Sequence, residues 1–307
     1  MTGPPAQPRL CGLPEIRTEG LVLVDKPVGP TSHAIVQEVR RLLGASRAGH
    51  GGTLDPFASG LLIIAAGRAT RLLRFLSSAA KTYIGDVKLG FSTDTDDATG
   101  RPLGEACIVN ISSAQIEAAV GKLSGAIEQI APAFSARKHE GVRHYRLARQ
   151  GKNVPRKPFP AQVAWRSVQR PEVDLVRIEV TVTAGTYIRA LARDLGTLLG
   201  CGGHLVTLRR TTSGPFHVGD AISLPSTPPA MRSALYPVEA IPLGIPTITL
   251  DPSECRMVRF GRCVPVRVDT EGGWVRLLDE NGGFLALAEA DTSLPEGPPT
   301  LRPRVVF

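Results

Sequence analysis

Residues 176–183 read VRIEVTVT, the cleanest two-residue alternation in the chain. Val176, Ile178, Val180 and Val182 face one way and Arg177, Glu179, Thr181 and Thr183 the other, as in a strand with one buried face. Ala184-Gly185-Thr186 then turns the chain. Beyond it Ile188, Leu191, Ala192, Leu195 and Leu199 recur at helical spacing and form one apolar stripe. A half-buried strand passed straight into an amphipathic helix demands a sheet with helices laid against it.

The rest of the chain extends that plan. Leu21-Val22-Leu23-Val24 predicts a short buried strand closed by Asp25-Lys26-Pro27 and a Gly29-Pro30 turn. Thr31 or Ser32 can cap a helix with Ile35, Val39, Leu42 and Leu43 on its core face, and Gly44 stops it. A loop, AGHGGTLDPFASG, leads into a strand over 61–66. A helix over about 69–79 and a half-buried strand with Tyr83, Val87 and Leu89 inward come next. Ser112 and Gln115 are spaced as a capping box for a helix near 113–123. Asp25, at a strand end before Lys-Pro, is expected to stabilise a turn, and Asp194 to pair locally with Arg193 or Arg189.

The elements lack a regular βαβ rhythm, so the expected class is α+β with a mixed, largely antiparallel sheet flanked by helices. The Pro/Gly-rich residues 1–18 form a flexible tail, residues 19–245 the main domain and residues 246–307 a small β-rich domain with Gly turns at Glu271-Gly272-Gly273 and Asn281-Gly282-Gly283. LPSTPPA, at 224–230, reads as a surface connection.

Several function classes fall away. The five cysteines are odd in number and contain no CxxC, which points to reduced thiols and not to a disulfide frame. Cys201 and His204 have CxxH spacing but no second ligand pair, and STDTDDATG over 92–100 fails the calcium-loop pattern because Ala98 and Thr99 stand where a ligand and glycine are needed. No metal site is expected. The sequence shows no signal-peptide core and no apolar run that could span a bilayer, so the protein is expected in the cytoplasm.

The charge is more informative. Lys and Arg outnumber Asp and Glu by 36 to 28, a net +8 that suits a polyanionic partner. Residues 137–157 hold eight Lys or Arg and one acid, Glu140, with Tyr145 inside and Phe134 and Phe159 at the flanks. Arg146, Arg149 and Lys152 would share one side of a helix. We read an arm at about 131–160 in which cations meet phosphates and an aromatic can stack on a base.

Asp55 stands apart. Pro56 biases it away from helical geometry, and Gly51, Gly52 and Gly60 let backbone or ligand come close. That describes an exposed carboxylate on a shaped loop, equally a nucleophile or a turn residue. Four segments bear on the choice: LVLVDKPVGPTS, AGHGGTLDPFASGLL, KTYIGDVKLGFSTDTDDATG and TAGTYIRALARDLGTLLGCGGHLVTLRR. Together they resemble, in order, the motifs of the bacterial tRNA pseudouridine synthase B family, over about residues 20–220.

The resemblance implies a pseudouridine-synthase fold with a PUA-like domain at 246–307. It also implies isomerisation of the T-loop uridine at position 55 of tRNA, with no cofactor. It places the nucleophilic aspartate on Asp55, the active-site tyrosine on Tyr83 and the paired arginine on Arg189; His50, Tyr187 and Leu208 fall on substrate-pocket positions. The partner is the tRNA T-stem-loop, with no membrane and no protein partner, and the chain is expected to be a monomer. The chemistry suits those residue types. One ionised carboxylate can attack either C1′ of the sugar or C6 of the base, a guanidinium should lower its pKa and fix its direction, and a base taken out of its stack needs a flat ring such as Tyr83 to hold it.

Ala131, Phe134 and Gly51 depart from the usual family residues and bear on RNA contacts, not on the reaction. An RNA-binding protein with an incidental site is the second reading. A glycoside hydrolase is a weak third, because no second carboxylate is placed as acid partner.

Overall fold

The structure, a computed structural model, describes residues 18–134, 138–139, 142–143, 157–265, 273–291 and 300–307. Residues 1–17 of the expected 1–18 tail, the proposed RNA contacts Arg146 and Arg149, Tyr145 and Lys152 with them, and Glu271-Gly272 of the expected turn lie outside the described residues.

The chain begins as expected. Strand β1 (Gly20–Lys26) carries Leu21 to Val24 with no appreciable exposure. Helix α1 (Ser32–Leu43) is capped by the Thr31 hydroxyl on the Ala34 amide and closed by Gly44 in the left-handed conformation. Its inner face, Ile35, Val36, Val39, Leu42 and Leu43, is buried, each side chain contributing about 1.5–3 kcal/mol. The glycine loop is more ordered than its composition suggests, since Ala48–His50 forms strand β2 on the edge of β3 (Ser59–Ala66). The helix expected over 69–79 is a 3-10 turn, Gly67–Leu72, followed by a short α2 (Leu73–Ser77).

Next come β4 (Lys81–Leu89), the small hairpin β5 (Ser92–Thr93) and β6 (Pro102–Leu103), and α3 (Ser113–Lys122) with its Ser112/Gln115 capping box. After β7 (Gly125–Ile130), a second small hairpin pairs β8 (Lys138–His139) with β9 (Val142–Arg143). The long β10 (Pro158–Glu172) and β11 (Leu175–Val182) precede α4 (Ile188–Leu198), and β12 (Gly203–Ser213) follows. Strands β13 (Phe216–His217) and β14 (Ile222–Ser223) finish the large sheet. LPSTPPA is only partly loop, because Thr227 caps a short α5 (Pro228–Ser233). Proline tolerates the first helical turn, where its missing N–H has no partner to lose.

The ten-stranded sheet runs β14-β1-β3-β12-β4-β11-β10-β7, with β2 on β3 and β13 on β12. Within this sheet only β1–β14 and β3–β12 pair in parallel among the described strands, so the mixed, largely antiparallel expectation holds. Alternation splits β1 and β3 between two apolar clusters. Val22, Val24, Leu62 and Ile64 face α1 and the α4 stripe, while Leu21, Leu23, Leu61 and Ile63 face Leu72, Leu76, Phe284 and Leu287.

The C-terminal part is a five-stranded sheet, β15 (Thr247–Thr249), β17 (Trp274–Leu278), β18 (Phe284–Asp291), β19 (Thr300–Val306) and β16 (Val264–Pro265) in that order. Its helix α6 (Pro252–Arg259) is held by an Asp251/Glu254 capping box. No described helix is long and apolar enough to cross a membrane.

Candidate active site

The Asp55 loop is clamped by the segment that begins α1. Ser32 donates its hydroxyl to the Leu54 carbonyl and accepts the Leu54 amide, both at 2.8 Å. Lys26, fully buried at the end of β1, donates its ammonium to the Ala58 carbonyl at 2.6 Å and to the Pro56 carbonyl at 3.4 Å. DKPVGPTS thus supplies the hydrogen bonds that a proline-interrupted loop cannot make within itself. Burial lowers the Lys26 ammonium to about 8, against the pull of Asp55.

Helix α4 delivers Arg189 to this loop. Its Nε lies 2.9 Å from Asp55 Oδ2. Nη1 donates to the Thr95 carbonyl at 2.9 Å and Asp97 Oδ2 at 3.2 Å, and Nη2 to the Phe134 carbonyl at 2.9 Å. Arg189 is therefore a buried hub between two carboxylates. Asp97 is fixed in turn, its Oδ1 accepting from the Thr95 hydroxyl and from the amide and hydroxyl of Thr99. The acidic stretch over 92–100 is more than a surface turn, since it supplies the second support of the arginine through the Thr95 carbonyl and Asp97.

Arg189 acts on Asp55 as expected, yet the net shift runs the other way. The Asp55 carboxyl is held above the usual carboxylate range: burial raises it most, and Arg189 opposes that rise without cancelling it. The guanidinium pulls in the expected direction, but desolvation wins. The side chain still keeps 37% of its surface accessible, enough for a substrate to reach it.

A cleft of about 270 Å³ opens beside this pair, near the small end of ligand-sized pockets. Asp55, Tyr83, Tyr187, Arg189 and Leu208 all line it, so five of the residues singled out in the sequence share one wall system. Tyr83 faces inward from β4, next to Arg210 in the β4–β12 register, and Leu208 is paired with Gly85 two residues along. Tyr187 sits at the α4 entry with no side-chain cap. Gln129 replaces one: it accepts the Tyr187 amide at 2.8 Å and donates to its carbonyl at 3.0 Å.

His50 is the exception. It is half-buried on β2 and outside the cleft lining, with the Gly52 amide 3.4 Å from its Nδ1. Asp25 also differs from expectation, forming a two-pronged pair with Arg209 at 2.7 and 3.0 Å across the sheet. Asp194 pairs with Arg193 at 2.8 Å, as expected. Sequence reasoning missed Asp97, Gln129, Lys81 and Arg210. Lys81 carried a usable signal, since it lies two residues before Tyr83 and so on the same strand face. No group of three metal-capable side chains comes together among the described residues.

The model described as TruB family pseudouridylate synthase (N terminal domain) matches residues 40–188, that of the tRNA pseudouridylate synthase B C-terminal domain residues 189–240, and a further TruB C-terminal model residues 246–307. The tRNA pseudouridine synthase B of Aromatoleum aromaticum is 42% identical over 277 residues, 89% of each chain. That of Thermobifida fusca is 43% identical, covering 88% of this chain and 94% of its own. Among solved structures, a Cbf5-Nop10-Gar1 complex superposes with a TM-score of 0.71 at 28% identity, over 94% of this chain and 84% of that one. The chain belongs to the TruB family.

Proposed function

We propose that this protein isomerises the T-loop uridine at position 55 of tRNA to pseudouridine, with Asp55 as nucleophile. The observation that carries the reading is the 2.9 Å Asp55–Arg189 pair at a cleft also lined by Tyr83 and Leu208. The names of the curated relatives support tRNA as substrate.

In this reading the target uridine leaves its stack and enters the cleft. Tyr83 lies against the base, Leu208 gives an apolar wall and Tyr187 borders the entrance. The Asp55 carboxylate attacks C1′ or C6, the N1–C1′ bond breaks, and C1′ is rejoined to C5. The bond to Asp55 is released, the C5 proton leaves to solvent and N1 takes up one proton in its place, so the reaction balances without oxidant or cofactor. Arg189 keeps the carboxylate aimed, and because Asp97 also holds the guanidinium, its position does not depend on Asp55 alone. His50 contacts the RNA loop from outside the cleft, and Arg146 and Arg149 grip the T-stem-loop backbone. The catalytic domain spans 19–245 and the PUA-like domain 246–307, in a monomer working in the cytoplasm.

The test is carbodiimide labelling and primer extension on an unmodified tRNA transcript. A new stop assigned to position 55, absent when that uridine is replaced by cytidine, is expected. Binding without any stop would favour the RNA-binding reading, and a stop elsewhere would overturn the site.

A further inference from the structure

The cleft has a second charged end that the reaction leaves unused. Lys81, at the start of β4, and Arg210, on β12, both line it and are 6% and 1% exposed. The Lys81 ammonium donates to the Ser77 and Ala79 carbonyls at 2.9 and 2.7 Å, leaving one of its three protons. Arg210 donates Nε to the Leu61 carbonyl at 2.7 Å and Nη2 to the Gly52 carbonyl at 3.1 Å. Neither cation has a carboxylate partner in an ion pair among the described residues, and Asp55 is engaged by Arg189. Lys26 adds positive character, close enough for Arg210 to disfavour its charged form.

Backbone geometry keeps this end open. Gly52 has φ +139°, and a Cβ there would lie 3.3 Å from Lys81 Cε and 3.5 Å from Arg210 Nη1. Two buried cations bound only to carbonyls, against a bare glycine, leave positive charge that an anion would compensate.

We infer that Lys81 and Arg210 form an anion subsite for a phosphodiester of the substrate strand, one of the two that flank the target nucleotide. The inference rests on the reaction proposed above and names how its substrate is gripped. A nucleotide rotated out of its stack brings its own phosphates towards the cleft. Losing their water there requires fixed cations, which Lys81 supplies as a point charge and Arg210 as a planar fork.

The test uses full-length tRNA assembled by ligation, carrying one neutral methylphosphonate 5′ of the target uridine, 3′ of it, or two nucleotides away as control. Single-turnover rate divided by Kd is measured for the wild type and Lys81→Met. A loss of about tenfold or more is expected for the wild type at one flanking phosphate and none at the control, the typical effect of losing one charge-assisted hydrogen bond. Lys81→Met should lose a similar factor on unmodified tRNA and little more on the sensitive methylphosphonate. A wild type indifferent to both flanking substitutions overturns the subsite even if the variant does not fold, and so do losses that multiply. If unmodified tRNA yields no pseudouridine at all, the reaction is what fails.

Discussion

Asp55 is held between burial, which favours its neutral form, and Arg189, which favours the ionised one, and burial dominates. A carboxyl whose folded pKa is raised stabilises the fold fully below its unfolded pKa and loses that contribution as pH rises through the folded value. At neutral pH the ionised group is therefore a burden on the fold. Asp55→Asn is expected to melt no lower than the wild type at pH 7.5, with any gain shrinking towards pH 4. Thermal unfolding at the two pH values checks this, and a midpoint several degrees lower at pH 7.5 would make Asp55 structural. Activity has the opposite requirement, so its acid limb should lie above the usual carboxylate range. Arg189→Met should move that limb to still higher pH, as read from single-turnover rates across pH. Asp55, Tyr83 and Arg189 were legible in the sequence through their motifs, and the cleft brings them together. Asp97 was not, because its role depends on an arginine 92 residues away. Nor was the pairing of Asp25, whose partner Arg209 is 184 residues away.

At the scale of elements, the site depends on how closely α4 lies against β12. Gly196 makes that contact, since a Cβ there would fall 2.2 Å from the Gly203 amide nitrogen and 2.6 Å from the Gly202 carbonyl oxygen. Backbone cannot give way as a flexible side chain can. Gly196→Ala is expected to cost about 1–3 kcal/mol or more and to tilt α4, moving Arg189 from Asp55. Denaturant melts together with single-turnover rates would show it: a stable variant with full activity would mean α4 is not anchored there. Periodicity revealed β11, α4 and α1 because each buries one face against the core and needs no distant partner to define it. It missed β2, which is three residues long and ordered only by pairing with β3. It lengthened α2 because a 3-10 turn carries the same coarse apolar spacing for a few residues.

Across the whole molecule, the two sheets share an apolar cluster in which Leu21 and Leu23 meet Phe284 and Leu287, so the terminal sheet is part of the same folded body. Arg74 adds to the join, its guanidinium 4.0 Å above the Trp274 ring. The net charge of +8 suits an RNA partner, and the arm concentrates it. Arg146→Ala with Arg149→Ala is expected to reduce the slope of log affinity against log salt by about 1–2 for tRNA, as each phosphate contact contributes about 0.7–0.9; an unchanged slope would remove these arginines from the interface. The most direct measurement is tritium release from tRNA labelled at uridine C5, for the wild type and Asp55→Asn side by side. Release by the wild type and none by the variant, with both binding tRNA alike, is the expected result. Release by Asp55→Asn at a wild-type rate would contradict Asp55 as the nucleophile.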